Sequence, residues 1–489
     1  MIPSSLNIPQ LLPEILLFCL AIVILVADML ISLSKKKRLW DISFLGLLAI
    51  LIVVSIPFTG SEAASGESFN GQAIIGGLTV FLRLIIVSAL FATMIFSVDW
   101  LNDRPEKIGI YIFLVMISAL GGLVVASAGN LLILLLGIEI LSVPLYVLAG
   151  FHREDKEGQE ASFKYFILGS FASAFLALGI ALIYSSISTI DFAQIQKLGE
   201  VDGFRAEAPL IIGLVFIIAT ISFKGGLMPF YAWIPDVYRG SPDYVVGFMA
   251  SVAKTSVFAA LIRIGIAFLP SSHAALYAII AMLFALTVIL GNLMALWQSD
   301  VKRMLAYSSI AHAGYLLLGL LALNEHGLSA IVFYLLVYSF AAIGAFVVTG
   351  IVRKMRGGYT LDNFDGLWAY EPGLAFAMTL FLLTLAGIPP LAGFFSKLFL
   401  FNAAINGGFW KFVVLASITS LIGVYYYLRV IVRMYMKPAP VTQSEREERL
   451  PAFYTDTALF LSSILVIALG ILPGRFYEIA HMFLRQLFL

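Results

Sequence analysis

Charge is what this sequence has least of. Asp, Glu, Lys and Arg make up 12% of its 489 residues against 61% hydrophobic residues, and the mean hydropathy is +1.00. A water-soluble chain carries about a quarter charged residues, so the shortfall excludes a cytosolic enzyme, a disordered regulator and a nucleic-acid binder together. Cysteine is nearly absent. Cys19 alone occurs, inside the first apolar stretch, which excludes a disulfide framework, a Cys-rich iron–sulfur motif and a zinc ribbon. Of the histidines at 152, 273, 312, 326 and 481, only His312 lies clearly within an apolar segment, which argues against a haem held by two membrane histidines. No Gly-Lys dipeptide occurs, so the Walker A phosphate loop and the usual route to ATP-driven transport are missing. Redox chemistry and energy have to come from partners.

What the sequence has in abundance is long apolar runs. Hydropathy predicts about 14 membrane helices, near 11–33, 39–58, 77–98, 109–126, 129–150, 162–187, 209–231, 244–268, 273–297, 303–322, 326–352, 373–397, 409–435 and 455–474. The expected fold is an all-α polytopic membrane protein with a single integral membrane domain over 1–489. Met1–Gln10 has no basic region and no small-residue cleavage pattern, so the first helix is expected to stay in the mature chain. Basic residues concentrate on alternate loops: Lys35–Arg38, Arg104 and Lys107, Arg153 and Lys156, Arg239, Lys302 and Arg303, Arg353 to Arg356, then Lys437, Arg446 and Arg449. The other loops hold little more than Lys197, Arg205, Lys411, Arg475 and Arg485. Because cytoplasmic loops collect Lys and Arg, both termini are expected on the periplasmic or equivalent face, with 59–72 and 191–208 as outer loops and 437–450 as the largest charged inner loop.

The informative residues are the ionisable ones left inside the hydrocarbon layer: Glu139, Lys224, Lys254 and Lys397. Each costs at least about 2.5 to 3.5 kcal/mol at a helix centre and should face the bundle interior with a partner or water. Glu139 with one lysine suits a structural ion pair, but three lysines against one mid-membrane carboxylate leave base in surplus. An ammonium out of water is a group that takes and releases protons near neutral pH, so a proton or ion path is the expected reading. Glu14, Asp28, Arg83 and Arg263 sit nearer helix ends, where snorkelling is expected to carry their charges to water.

Two of the lysines stand beside expected helix breaks. In Lys224-Gly225-Gly226-Leu227-Met228-Pro229 the proline lacks an N–H and deprives the Gly225 carbonyl of its helical partner; in Ala386-Gly387-Ile388-Pro389-Pro390 the carbonyls of Leu385 and Ala386 are freed likewise. Irregular backbone at membrane depth is tolerated where it is buried or faces water, and interrupted segments in both halves of a chain point to an ion route between repeats. A packing kink is the alternative for either break. His312, flanked by Ser308, Ser309 and Tyr315, suits a relay between lysines or a hydrogen-bonded core position. Lys164, Lys302 and Arg303 lie at inner helix ends, where they could feed a proton entry route or obey the charge bias, and the charge bias is the expected reading for each.

These residues fall in stretches that resemble a known family. Leu-Leu-Pro-Glu-Ile-Leu-Leu (11–17), Gly-Ile-Glu-Ile-Leu-Ser (137–142), Phe-Lys-Tyr-Phe-Ile-Leu-Gly-Ser-Phe (163–171), the run from Phe223 to Gly240, Ala-Ser-Val-Ala-Lys (250–254), the run from Asp300 to Tyr315 and that from Leu385 to Lys397 resemble the subunit N family of respiratory complex I, NADH:quinone oxidoreductase. Relatives often carry His where this chain has Tyr231, and a small apolar run where it has Ser241-Pro242-Asp243. The resemblance implies two inverted five-helix repeats, about 109–268 and 273–435, with broken helices 7 and 12 and flanking helices in 1–108 and 455–489. It implies a proton-translocating subunit of the oxidoreductase in which Glu139 and Lys224 are the coupling pair, Lys254 the central relay, His312 a bridging group and Lys397 the exit-side group. It also implies no cofactor in this chain, partner subunits carrying FMN, iron–sulfur clusters and the quinone site, contacts with an antiporter-like M subunit and small membrane subunits, and a bacterial inner membrane. An Mrp-like Na+/H+ antiporter subunit would use the same lysines.

Overall fold

The structure, a computed structural model, describes residues 7–59, 66–202, 208–438 and 452–485, without the side chains of 59, 201–202 and 269–275. The expected charged loop 437–450 lies outside these beyond residue 438, as do Arg205, Arg446 and Arg449 and the His273 side chain. Long apolar runs without water to bond have to satisfy their backbone internally, and almost every described run is helical. The helices are α1 Leu12–Leu30, α2 Arg38–Ser55, α3 Gly77–Leu101, α4 Pro105–Ser127, α5 Leu131–Ala149, α6 Lys156–Ile187, α7 Phe192–Asp202, α8 Ala208–Gly225, α9 Trp233–Gly240, α10 Asp243–Phe248, α11 Lys254–Leu296, α12 Val301–Ala322, α13 Glu325–Arg356, α14 Pro372–Ala386, α15 Ala392–Asn406, α16 Trp410–Met436, α17 Phe453–Ile471 and α18 Pro473–Leu484. A short antiparallel hairpin, β1 Gly66–Ser68 and β2 Ala73–Ile75, precedes α3.

Thirteen helical segments among the described residues are long and apolar enough to cross a membrane, and α11 belongs to two of them, Asp243–Phe268 and Leu276–Leu296. The expected span 373–397 is instead a shorter apolar helix, α14, followed after a break by α15. Local chemistry sets several boundaries. Asn130, Asp155, Asp300 and Asn324 each accept a hydrogen bond from the first turn of the helix that follows, starting α5, α6, α12 and α13. One expected loop is a helix instead: α7, short and only weakly apolar, carries no membrane signal and packs along α11.

Ion pairs knit the basic loops to one another. Arg104 reaches Glu154, Arg239 reaches both Glu157 and Asp300, Arg303 reaches Asp236, Arg353 reaches Asp155, and Arg433 bridges Asp362 and Asp365. These loops therefore share one face of the bundle, as the charge count requires. The opposite face carries the hairpin, whose Ser68 donates to the Asn7 carbonyl, and α18, whose Phe483 packs against Phe58 and edge-on against Phe81. The spans containing α12 and α13 and the span Asp243–Phe268 are 94% buried, whereas α1, α2, α6 and α16 present apolar surface outward. The central helices are where charge can be hidden.

Candidate functional site

Glu139 on α5 and Lys224 on α8 meet in the first half of the bundle. Lys224 stands one residue from the end of α8, where the exposed carbonyl ends of a helix favour a cation. Its Nζ donates to Ser142 Oγ at 2.9 Å and to Tyr146 OH at 2.8 Å and lies 3.9 Å from the Glu139 carboxylate. The pair is asymmetric: the lysine is buried, whereas the Glu139 side chain is 33% exposed at the edge of the bundle and accepts a bond from Ser173. Helix α8 ends at Gly225, and Gly226 takes φ +71°, a conformation a β-carbon disfavours. The sequence reading expected the Gly225 carbonyl to be the one left over. The Phe223 carbonyl, two residues earlier, accepts from Trp233 Nε1 at 2.7 Å and from the Gly226 N–H at 3.1 Å.

Lys254 and Lys397 are buried with no carboxylate in salt-bridge range among the described residues. Lys254 follows a π-helical turn, Met249–Ala253, that joins α10 to α11. Its Nζ donates to the Ser309 carbonyl and, at 2.6 Å, to Ser309 Oγ, and lies 5.2 Å from the Tyr338 ring centre. Lys397 lies in the second turn of α15, just past the other break. Its Nζ donates to the Ala386 carbonyl at 2.7 Å and to Ser420 Oγ at 2.8 Å, with the Tyr315 ring 5.1 Å away. Here the expected free carbonyl is found, with the lysine as its partner. Dipoles and ring faces thus take the place that a counter-charge would fill.

His312 lies between these two lysines. Its Nδ1 is 2.5 Å from Tyr334 OH, its Nε2 3.1 Å from Tyr427 OH, and its ring 5.1 Å from that of Tyr338. Tyr338 is shared by Lys254 and His312, and with His312, Ser396 and Lys397 it lines a cavity of about 10 Å³, close to the room one water needs. The structure thus brings Lys254, His312 and Lys397 into one polar seam. On the Lys224 side, the Tyr146 ring lies 4.7 Å from that of Tyr165, which stacks 4.4 Å from Trp233.

The tyrosines are what sequence reasoning missed. A buried phenol hydroxyl has to find a polar partner, so Tyr146, Tyr334, Tyr338 and Tyr427 in apolar helices were signals to be had. Snorkelling fails for three of the four charges assigned to it. Glu14 and Arg83 form a buried ion pair at 2.6 Å, and Arg263 is buried with its guanidinium on Thr79 and the carbonyls of Ala126 and Ile74. Their partners lie on other helices and on strand β2, which stops the chains reaching water. Asp28 does pair with Lys36 of the basic loop, at 2.7 Å. Lys164 and Arg303 share Asp236 at the surface, as the charge bias requires, but Lys302 is fully buried. At the basic face His152 is pushed down to about 4 by burial first, then by Arg104 and Lys107, and it bridges Arg104 to Tyr244. The Tyr231 ring lies 6.3 Å from that of Tyr307.

Comparison with known proteins places this geometry. The family described as NADH:quinone oxidoreductase/Mrp antiporter, transmembrane region, matches residues 128–423. NADH-quinone oxidoreductase subunit N of Coxiella burnetii is 34% identical over 488 residues, covering 98% of this chain and 99% of that protein. A chain of respiratory complex I from Thermus thermophilus is 33% identical with a TM-score of 0.80, covering 96% of this chain and 99% of that one. A chain of the Mrp complex from Dietzia sp. has a TM-score of 0.84 at 19% identity over 99% of this chain and 98% of its own, a likeness of fold alone.

Proposed function

The chain belongs to the NADH:quinone oxidoreductase/Mrp antiporter family of membrane subunits, and on that premise we propose that it moves protons along Glu139, Lys224, Lys254, His312 and Lys397 as subunit N of a complex I-type oxidoreductase. One observation carries this reading: of Lys224, Lys254 and Lys397, all buried, only Lys224 has a carboxylate in salt-bridge range among the described residues, and that carboxylate stands at the rim of the bundle. A lysine held by an acid that a neighbour can move or neutralise is a lysine whose proton can be released on command.

The magnitudes fit. Expelling one charge against 100 mV needs about 2.3 kcal/mol. Two unit charges about 4 Å apart interact by about 4 kcal/mol at an effective dielectric of about 20. The exposed third of Glu139 screens that figure, yet it remains of the required order. When Glu139 is neutralised or drawn off, the Lys224 proton moves through Tyr146 toward Lys254, then by Tyr338 and His312 to Lys397. When the carboxylate returns, Lys224 reloads from the basic face, which is cytoplasmic in this reading. Both termini are then periplasmic, in a bacterial inner membrane.

The driving energy is quinone reduction in partner subunits, which hold the FMN and iron–sulfur clusters, and it arrives through neighbouring antiporter-like and small membrane subunits. Whole-length similarity at 33% and 34% to complex I chains supports that assignment over an Mrp-type antiporter, which shares the family model and is met among the solved structures at 19% identity. The test is Lys254→Met in the assembled complex. Its thioether keeps the volume, and the expected outcome is loss of proton translocation or of turnover. Full pumping by the assembled variant overturns the path.

A further inference from the structure

Lys302 and Asp243 form an ion pair that the path above does not use. They are 2.9 Å apart, with side-chain exposures of 0% and 3%, although both start helices at the basic face. Lys302 Nζ also donates to the Ser241 carbonyl at 2.7 Å and lies 3.1 Å from Tyr359 OH, which donates to Asp243 Oδ2 at 2.9 Å. Arg353 donates to the same phenol oxygen at 3.0 Å, and the Arg239 guanidinium lies 4.6 Å from the Tyr359 ring centre. The space is shaped for the acid: a β-carbon on Gly350 of α13 would come within 2.7 Å of the Asp243 side chain.

Placement gives this cluster a use. On its outer side Arg239 lines a vestibule of about 140 Å³ at the basic face, with Glu157, Glu160, Lys164 and Asp236. On its inner side both partners run into the lysine seam. Asp243 precedes Lys254 by eleven residues along one helical run with the π turn between them, and Lys302 precedes Ser309, the acceptor of Lys254, by seven. At 1.5 Å per residue the pair stands about 10 to 16 Å below Lys254. A buried pair adds little stability over an apolar pair of equal volume, so stability alone does not explain it, and a π turn beside it is a feature that gathers at functional sites.

We propose that Asp243, Lys302 and Tyr359 form the uptake gate through which the basic face supplies protons to Lys254. Lys302 is the proton carrier; Asp243 and Tyr359 position it. The Lys302 ammonium gives its proton toward Lys254, the Tyr359 hydroxyl passes its own proton to the resulting amine, and the phenolate takes one from the vestibule, so one proton enters for each that moves on. Asp243 keeps the amine in place throughout.

The inference rests on the lysine path, and the test separates the two. Protons translocated per electron and quinone reductase turnover are measured in membranes with the intact complex carrying Asp243→Asn, Lys302→Met, both together, or Lys224→Ala. Each single variant buries an unpaired group and is expected to lower assembly. The double variant buries no unpaired charge, so a structural pair predicts normal assembly and normal pumping, whereas a gate predicts assembly with lost turnover or lost protons per electron. Normal pumping by the double variant overturns the gate. Normal pumping by Lys224→Ala overturns the path itself. If the double variant fails to assemble, Tyr359→Phe decides, because it removes one hydroxyl: slowed pumping in the assembled complex supports the gate, and undiminished pumping overturns it.

Discussion

At the scale of single residues, the molecule has charges held in close pairs and charges held in loose ones. Glu14 and Arg83 belong to the first kind: a close, buried pair between α1 and α3. Arg83→Ala would leave the Glu14 carboxylate buried without its cation, and the expected loss is about 3 to 5 kcal/mol of stability. A lowered unfolding temperature of the detergent-purified complex would show it, and an unchanged one would mean that Glu14 reaches water. Lys224 belongs to the second kind, with its acid at 3.9 Å and two hydroxyls nearer. The sequence could name Glu139, Lys224, Lys254 and Lys397 because a charge in an apolar run stands out by itself. It could not show that Lys224 bonds Tyr146, 78 positions away, or that His312 meets Tyr427, 115 positions away. Those pairings are made by helix packing, which no local pattern encodes.

At the scale of elements, the two broken spans do different work. At the first break the lysine precedes the interruption and turns toward α5; at the second it follows the interruption and takes the last carbonyl of α14. Gly387 makes the second arrangement possible. It has φ +81°, and a β-carbon there would come within 2.9 Å of Lys397 Cδ. Gly387→Ala is expected to displace Lys397 and lower proton translocation while the complex still assembles; protons per electron measured on the purified complex check this, and normal pumping would show that the lysine tolerates displacement. Glycine and proline made both breaks legible in advance. The π turn before Lys254 and helix α7 were not legible, since Met249–Ala253 reads as ordinary helix and α7 has too little apolar surface to register.

At the scale of the whole molecule, hydropathy and the basic loops were enough to count the spans to within one and to sort the loops onto two faces, and the ion pairs among Arg104, Arg239, Arg303, Arg353 and Arg433 agree with that sorting. What the molecule adds is a buried line of polar groups, Lys254, His312 and Lys397 with Tyr334, Tyr338 and Tyr427, of which Lys254, His312, Tyr334 and Tyr338 lie on the most enclosed of the described spans. Such a line is expensive to keep in a membrane unless protons use it. The direct test is Lys224→Ala in an otherwise intact complex, with protons translocated per electron and quinone reductase turnover measured on the same membranes after assembly is verified. Loss of turnover or of protons per electron in the assembled complex is the predicted result. Normal turnover with undiminished pumping would contradict the account and leave this subunit a scaffold.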